Sequence, residues 1–237
     1  MTQSLQSFTP GGLAVVIGAS GGIGQALTAQ LAASDRFARV IGLSRRDDAL
    51  DITDADSIAR AATRLSDTGL PLRLVILATG LLHDGDMQPE KSWRQLDGAM
   101  LARSFAVNAI GPALVARHLL PLLPRQDKAV FAALSAKVGS IGDNRLGGWY
   151  GYRAAKAALN QLMHTAAIEL ARTRPQAICV TLHPGTVATT LSAPFGGPGH
   201  PAVAPEAAAG RLLSVIDGLT PAESGSFLDH TGLPLAW

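Results

Sequence analysis

The chain is poor in cysteine, in aromatic residues and in charge. Its single cysteine, Cys179, has no partner for an internal disulfide, and no C-x-x-C pair or His/Cys cluster at zinc-ligand spacing occurs. That excludes a disulfide scaffold, fits a reducing cytoplasmic setting and leaves no metal to expect. Charged residues are 16 % of the 237, with 20 basic against 18 acidic side chains and a formal net charge of +2. So small an excess, without a run of basic residues, argues against a nucleic-acid partner. Low charge with 47 % hydrophobic content excludes a disordered chain. No uninterrupted apolar run reaches spanning length, and the polar start from Met1 to Gly12 reads as neither signal nor anchor, so no membrane partner is expected.

What is present is an alternation of short apolar runs and amphipathic stretches. Leu13 to Ile17, Arg39 to Leu43, Leu72 to Ala78, Ala129 to Leu134, Ile178 to His183 and Ser226 to Asp229 read as strands. Helical patterns follow Gly24 to about Ala33 and cover Asp54 to Ser66, Arg103 to Leu120, Tyr152 to Thr173 and about Pro205 to Ile216. Strands separated by helices predict a single-domain α/β fold: a Rossmann-type, doubly wound parallel sheet of about seven strands over residues 1–237. Between Arg46 and Asp51 there is no room for a crossover helix, so the helix after the second strand is expected to be shortened or missing. Residues 184–205, rich in proline and glycine and without periodicity, read as a substrate lid loop.

Gly18, Gly22 and Gly24 lie directly after the first strand, where a helix begins. Glycine there permits a tight turn and close approach of backbone to an anion, and the helix N-terminus can receive a pyrophosphate. Ser20 and Ile23 belong to the same turn, Ser20 as a hydrogen-bond partner for phosphate. After the second strand stands Ser44-Arg45-Arg46, without the acid that would accept hydrogen bonds from both ribose hydroxyls. The forked guanidinium of Arg45 suits a 2′-phosphate, so NADP(H) is expected in preference to NAD(H). Two solvated arginines are the alternative, Arg46 more so than Arg45.

In motif order, Gly18 to Gly24, Asp51, Gly80, Asn108, Tyr152-x-x-x-Lys156 and Pro184-Gly185 resemble the short-chain dehydrogenase/reductase family over nearly the whole chain. The stretches Val138 to Tyr152 and Gly225 to Gly232, with Trp237, look like its C-factor and Sniffer carbonyl reductase-like branch. The resemblance implies an NADPH-dependent reduction of a ketone or aldehyde. Tyr152, Lys156, Ser135 and Asn108 would be the catalytic residues, with a small carbonyl or alcohol substrate and a homodimer or homotetramer. It also implies cofactor contacts: Asp51 accepting from the adenine amino group, Ile52 against the ring, Gly80 at the end of a strand. Pro184, Gly185, Val187 and Thr189 would pass the nicotinamide, the last two near its carboxamide.

The spacing of Tyr152 and Lys156 puts both on one face of a helix. A phenol of ordinary pKa ~10 is a poor acid at neutral pH, and a nearby ammonium is expected to lower it. Tyr152 would then protonate the carbonyl oxygen as hydride arrives. Lys156 would hold the nicotinamide ribose. Tyr150 has Ala154 where Tyr152 has its lysine. Asn108, within an apolar helical stretch, must find partners for its amide; the resemblance makes it the holder of a water linked to the lysine.

The chain departs from the family at two places. Counting back from Gly139 puts Ala136 where the family has its serine; Ser135, one place earlier, is the candidate to polarise the carbonyl, and Ser140 is the alternative. Leu77-Ala-Thr-Gly80 lacks the usual asparagine, which Thr79 would replace in part. Asp51 has a competing reading as a helix cap, although Asp54 is better placed for that. The altered serine position leaves a second function open: an NADP(H)-binding, C-factor-like regulatory protein with little turnover. His83, His118, His164, His183, His200 and His230 show no ligand spacing.

Overall fold

The structure, a computed structural model, describes residues 5–195 and 202–237. Strands β1 (Leu13–Ile17), β2 (Arg39–Leu43), β3 (Leu72–Leu77), β4 (Ala129–Leu134), β5 (Ala177–His183) and β6 (Phe227–Asp229) form one 6-stranded sheet in the order β2-β1-β3-β4-β5-β6. Every pairing is parallel. About seven strands were expected, and the described residues contain six. The stretch between β2 and β3 that remains outside a helix cannot extend, because Ala49 is left-handed (φ 55°) and the Asp51 carboxylate folds back onto the Thr53 amide.

The helices are α1 (Gly22–Ala32), α2 (Arg45–Asp48), α3 (Ala55–Ser66), α4 (Gly98–Phe105), α5 (Gly111–Leu119), α6 (Tyr150–Thr173) and α7 (Pro205–Gly218). The shortened helix expected after the second strand is α2, a single turn capped by Ser44. A π-helical turn, Ala106–Ile110, joins α4 to α5.

The strands are continuous apolar runs because both faces of the sheet are covered. On one face Val15, Val75, Phe131 and Cys179 pack beneath residues of α3, α5 and α6, including Ala61, Val115 and Leu159. On the other, Val16, Ile76, Ala132 and Val180 pack beneath Leu27 of α1 and Leu212 of α7. The helical stretch Gly98–Leu122 is long and apolar enough to cross a bilayer, but Val115, Ala116 and Leu119 pack into the first of these clusters, which makes it a core helix. The β6 edge is covered by the C-terminal tail, where the Leu235 amide donates to the Phe227 carbonyl at 2.8 Å.

From β1 the chain passes to β2 on one side and later to β3 on the other. This reversal opens a crevice at the C-terminal ends of the strands, the place where open α/β sheets bind ligands. The glycine turn, the end of β4 and the start of α6 all meet there.

Candidate active site

A cleft of about 370 Å³ lies at this crevice, lined by Ser20, Gly21, Gly22, Ile23 and Gly24 on one side and Leu134, Ser135, Tyr152 and Lys156 on the other. Thr79, Gly80, His83, Pro184, Thr189, Thr190 and Leu191 complete its walls.

The glycine turn is built for close approach. Gly18 adopts φ +90°, and a Cβ there would stand 2.9 Å from the Ala78 carbonyl. A Cβ on Gly24 would stand 2.1 Å from the Gly18 oxygen. The helix begins without a side-chain cap, so its first amides are left for a ligand. At the end of β2, the Ser44 hydroxyl is used internally: it accepts from the Asp47 amide at 3.0 Å and donates to the Asp47 carboxylate at 2.9 Å. Arg46 pairs with Asp47 at 2.9 Å. Arg45 is exposed and makes no side-chain hydrogen bond or ion pair among the described residues. The glycine turn is held beside it, since the Gly18 and Ala19 amides both donate to the Leu43 carbonyl, at 2.8 and 3.1 Å.

The Asp51 carboxyl is held below the usual carboxylate range, first by the Thr53 hydroxyl and then by the Thr53 amide. Ile52 is buried in the core and its carbonyl abuts Gly111. Neither lines the cleft, and nor does Arg45.

Tyr152 and Lys156 stand together as their spacing predicts, with the Lys156 Nζ 5.8 Å from the Tyr152 ring centre. The Lys156 ammonium is buried and donates to the Leu134 carbonyl at 2.8 Å, which ties α6 to the end of β4. The expected lowering of the phenol is overturned. Burial pushes Tyr152 up to about 12 and brings Lys156 down to about 8, because taking either charged form out of water is costly.

Ser135 follows β4 directly and lines the cleft; its buried hydroxyl has no partner among the described residues. The alternative, Ser140, lies elsewhere and is occupied, donating to the Trp237 carbonyl at 3.3 Å and accepting from the Asp143 amide at 3.1 Å. Thr79 Oγ1 is also buried and without a partner among the described residues. Asn108 is fully buried in the π-helical turn, beside the cleft rather than in its wall. Its amide donates to the Leu81 carbonyl at 2.7 Å and accepts from the Leu81 amide at 3.0 Å, holding the loop that follows Gly80.

The segment after β5 contributes Pro184 and Thr189 to the wall. Gly185 is left-handed (φ 79°), and Val187 is buried and bridged to Val203. Residues 196–201 of the expected lid lie outside the described residues.

Several neighbours were not legible from sequence motifs. His83 lines the cleft, with Nε2 3.2 Å from the Thr190 carbonyl and its ring 5.6 Å from Phe195. Trp149 lies 5.1 Å from Phe195 and 6.3 Å from Tyr152 between ring centres, closing an aromatic wall beside the phenol. Trp93, Phe105, Trp149 and Phe195 stand out in the sequence as aromatics that could line a pocket or pack the core, and residue type alone does not separate the two; Trp149 and Phe195 are the pair the fold brings beside Tyr152.

Unpartnered hydroxyls at Ser135 and Thr79, an uncapped helix start and a glycine surface that a Cβ would fill form a cradle suited to a dinucleotide. Comparisons with known proteins agree with this geometry. A family profile described as enoyl-(acyl carrier protein) reductase matches residues 12–217. The chain is 33 % identical over 235 residues to 1-hydroxy-2-glutathionyl-2-methyl-3-butene dehydrogenase of Rhodococcus sp. strain AD45, covering 94 % of this chain and 98 % of that protein. It is 39 % identical over 143 residues to C-signal of Myxococcus xanthus, covering 60 % of this chain and 81 % of that one. Among solved structures, NADPH-bound carbonyl reductase from chicken fatty liver superposes with TM-score 0.82 at 25 % identity, over 94 % of this chain and 98 % of its own. Carbonyl reductase Sniffer of D. melanogaster shares the fold with TM-score 0.78 at 21 % identity, over 97 % and 100 %.

Proposed function

Because the chain belongs to the short-chain dehydrogenase/reductase family and is an oxidoreductase, we propose that it reduces a ketone or aldehyde to an alcohol with NADPH. The observation that carries this reading is the meeting of Tyr152 and Lys156 with the glycine turn and the unpartnered Ser135 hydroxyl in one cleft.

When bound, the reduced nicotinamide supplies a hydride to the carbonyl carbon. The chain supplies the rest. The first-turn amides of α1, with Gly18, Ser20, Gly22, Ile23 and Gly24, hold the pyrophosphate. Arg45 pairs with the 2′-phosphate, Asp51 accepts from the adenine amino group, and Gly80, Pro184, Gly185, Val187 and Thr189 flank the nicotinamide half. Ser44 serves this site indirectly, by capping the turn that carries Arg45, and Ile52 lies against the adenine ring, as the family resemblance implies.

Tyr152 Oη passes its proton to the carbonyl oxygen as the carbon takes up hydride, so an alcohol leaves and the phenol is re-protonated from water. The Ser135 hydroxyl donates to the same oxygen and stabilises its developing charge. Lys156 holds the ribose hydroxyls and keeps positive charge beside the phenol. Asn108 anchors the loop after β3 and the lysine's water. Dimers or tetramers, with the outer sides of the helices around Asn108 and Tyr152 in contact, are the expected assembly.

The test is NADPH oxidation by the purified chain against aldehydes, ketones, diketones and quinones, with NADH in parallel. Arg45→Ala is expected to weaken NADPH binding by about tenfold or more, the worth of a charge-assisted pair, and to leave NADH binding unchanged. Equal use of both cofactors by the wild type overturns the assignment of Arg45. A second reading, a regulatory protein that binds NADP(H) without much turnover, is favoured by Ala136 at the family's serine position and by the similarity to C-signal. Tight NADPH binding with no turnover across the panel selects it.

A further inference from the structure

Glu90, in the loop between β3 and α4, takes no part in the roles above. It is 8 % exposed and forms no ion pair among the described residues. Both of its carboxylate oxygens accept the Gly151 amide, at 3.3 and 3.1 Å. Its main-chain carbonyl accepts the Trp149 amide at 2.5 Å. One residue therefore receives two amides from the start of α6, that of Trp149 and that of Gly151, the residue immediately before Tyr152.

These contacts answer three local demands. The cap position of α6 is Trp149, which makes no side-chain capping bond, so the helix start needs an acceptor from elsewhere. A buried carboxylate needs compensation, and the positive end of a helix supplies it. Trp149 is left-handed (φ 52°, ψ 41°), a conformation a bulky residue keeps only where its surroundings impose it. Glycine fits the junction: a Cβ at position 151 would stand 3.0 Å from Glu90 Oε1 and 3.2 Å from Leu101 Cδ2. The imposed turn is also what sets the Trp149 indole beside the Tyr152 ring.

We propose that Glu90 is a positioning residue for Tyr152, its carboxylate and carbonyl together fixing the first turn of α6 and so the placement of the phenol and the Trp149 indole against the substrate. The proposal rests on the carbonyl reduction argued above. Displacing a reacting group by about 1 Å lowers a rate by about a hundredfold, which is the loss expected in kcat for Glu90→Ala. NADPH affinity changes far less, because the glycine turn and Arg45 lie on other elements. Glu90→Gln keeps an acceptor for Gly151 and recovers most of the rate.

The test combines kcat, NADPH binding and amide hydrogen exchange of Gly151, read by NMR on the full chain for wild type, Glu90→Ala and Glu90→Gln. Loss of a hydrogen bond to a charged group should speed Gly151 exchange by about tenfold or more in the alanine variant, and the glutamine variant should stay near wild type. If the alanine variant does not fold, Glu90→Asp, which withdraws the carboxylate by one methylene, should show the same lowered kcat and faster exchange. Wild-type kcat in the alanine or aspartate variant, unchanged Gly151 exchange, or a loss of NADPH affinity as large as the loss of kcat overturns the proposal. A wild-type chain that reduces no carbonyl counts against the reductase reading, while Gly151 exchange still reports on the clamp.

Discussion

Tyr152 and Lys156 acquire their proton affinities from burial. The phenol, pushed up to about 12, is held in its protonated form but is a weaker acid than a free phenol, so its proton transfer depends on the charge that develops on the carbonyl oxygen. The ammonium, brought down to about 8, is the group that titrates near neutrality. Turnover is therefore expected to be level at lower pH and to fall as pH rises through about 8, while Lys156→Arg, whose charge persists, moves the fall to higher pH. The pH dependence of kcat checks both. The sign for stability is opposite: a folded-state value below the ordinary 10.5 means the buried ammonium opposes folding below about 8, and the opposition fades between about 8 and 10.5. At this scale the sequence carried the helical spacing of the pair. It did not carry the desolvation, which depends on what covers the pair. Nor did it carry Glu90, which reaches Gly151 across 61 residues of chain and through no local motif.

The elements that form the site are defined by close backbone approach as much as by propensity. Gly24→Ala would force a methyl to within 2.1 Å of the Gly18 carbonyl oxygen, and its nearest neighbours, Gly18 and the Ala19 Cα, are backbone rather than a flexible side chain that could yield. The variant should lose about 1–3 kcal/mol of stability by overpacking, together with NADPH binding; thermal denaturation with and without cofactor measures both. A variant with unchanged melting and affinity would show that the turn relaxes. The glycine turn, the shortened α2 and the long α6 were legible because glycine spacing, chain length and periodicity are local. The π-helical turn around Asn108 was not, since α and π geometry share the same apolar pattern. The left-handed Trp149 was not legible either: its amide donates to the Glu90 carbonyl from another part of the chain, and α6 begins at Tyr150 rather than at the expected Tyr152.

For the molecule as a whole, the apolar runs and their spacing were enough to anticipate a parallel sheet covered on both sides. The aromatic wall of Trp149, Phe195 and His83 joins three separate loops, and only the closed fold brings them together. The outer surface keeps Ile110 at 52 %, Leu162 at 40 % and Ile168 at 50 % exposure, apolar side chains that an assembly through these helices would cover. Light scattering on the purified chain should give the mass of two or four copies; a single-copy mass at working concentrations contradicts that expectation. The most direct measurement of the central claim is NADPH-dependent carbonyl reduction by Tyr152→Phe beside the wild type, with NADPH affinity measured on both. Loss of the proton donor should lower kcat by at least about a hundredfold while the cofactor still binds. A phenylalanine variant that reduces the same carbonyl at the wild-type rate would contradict it.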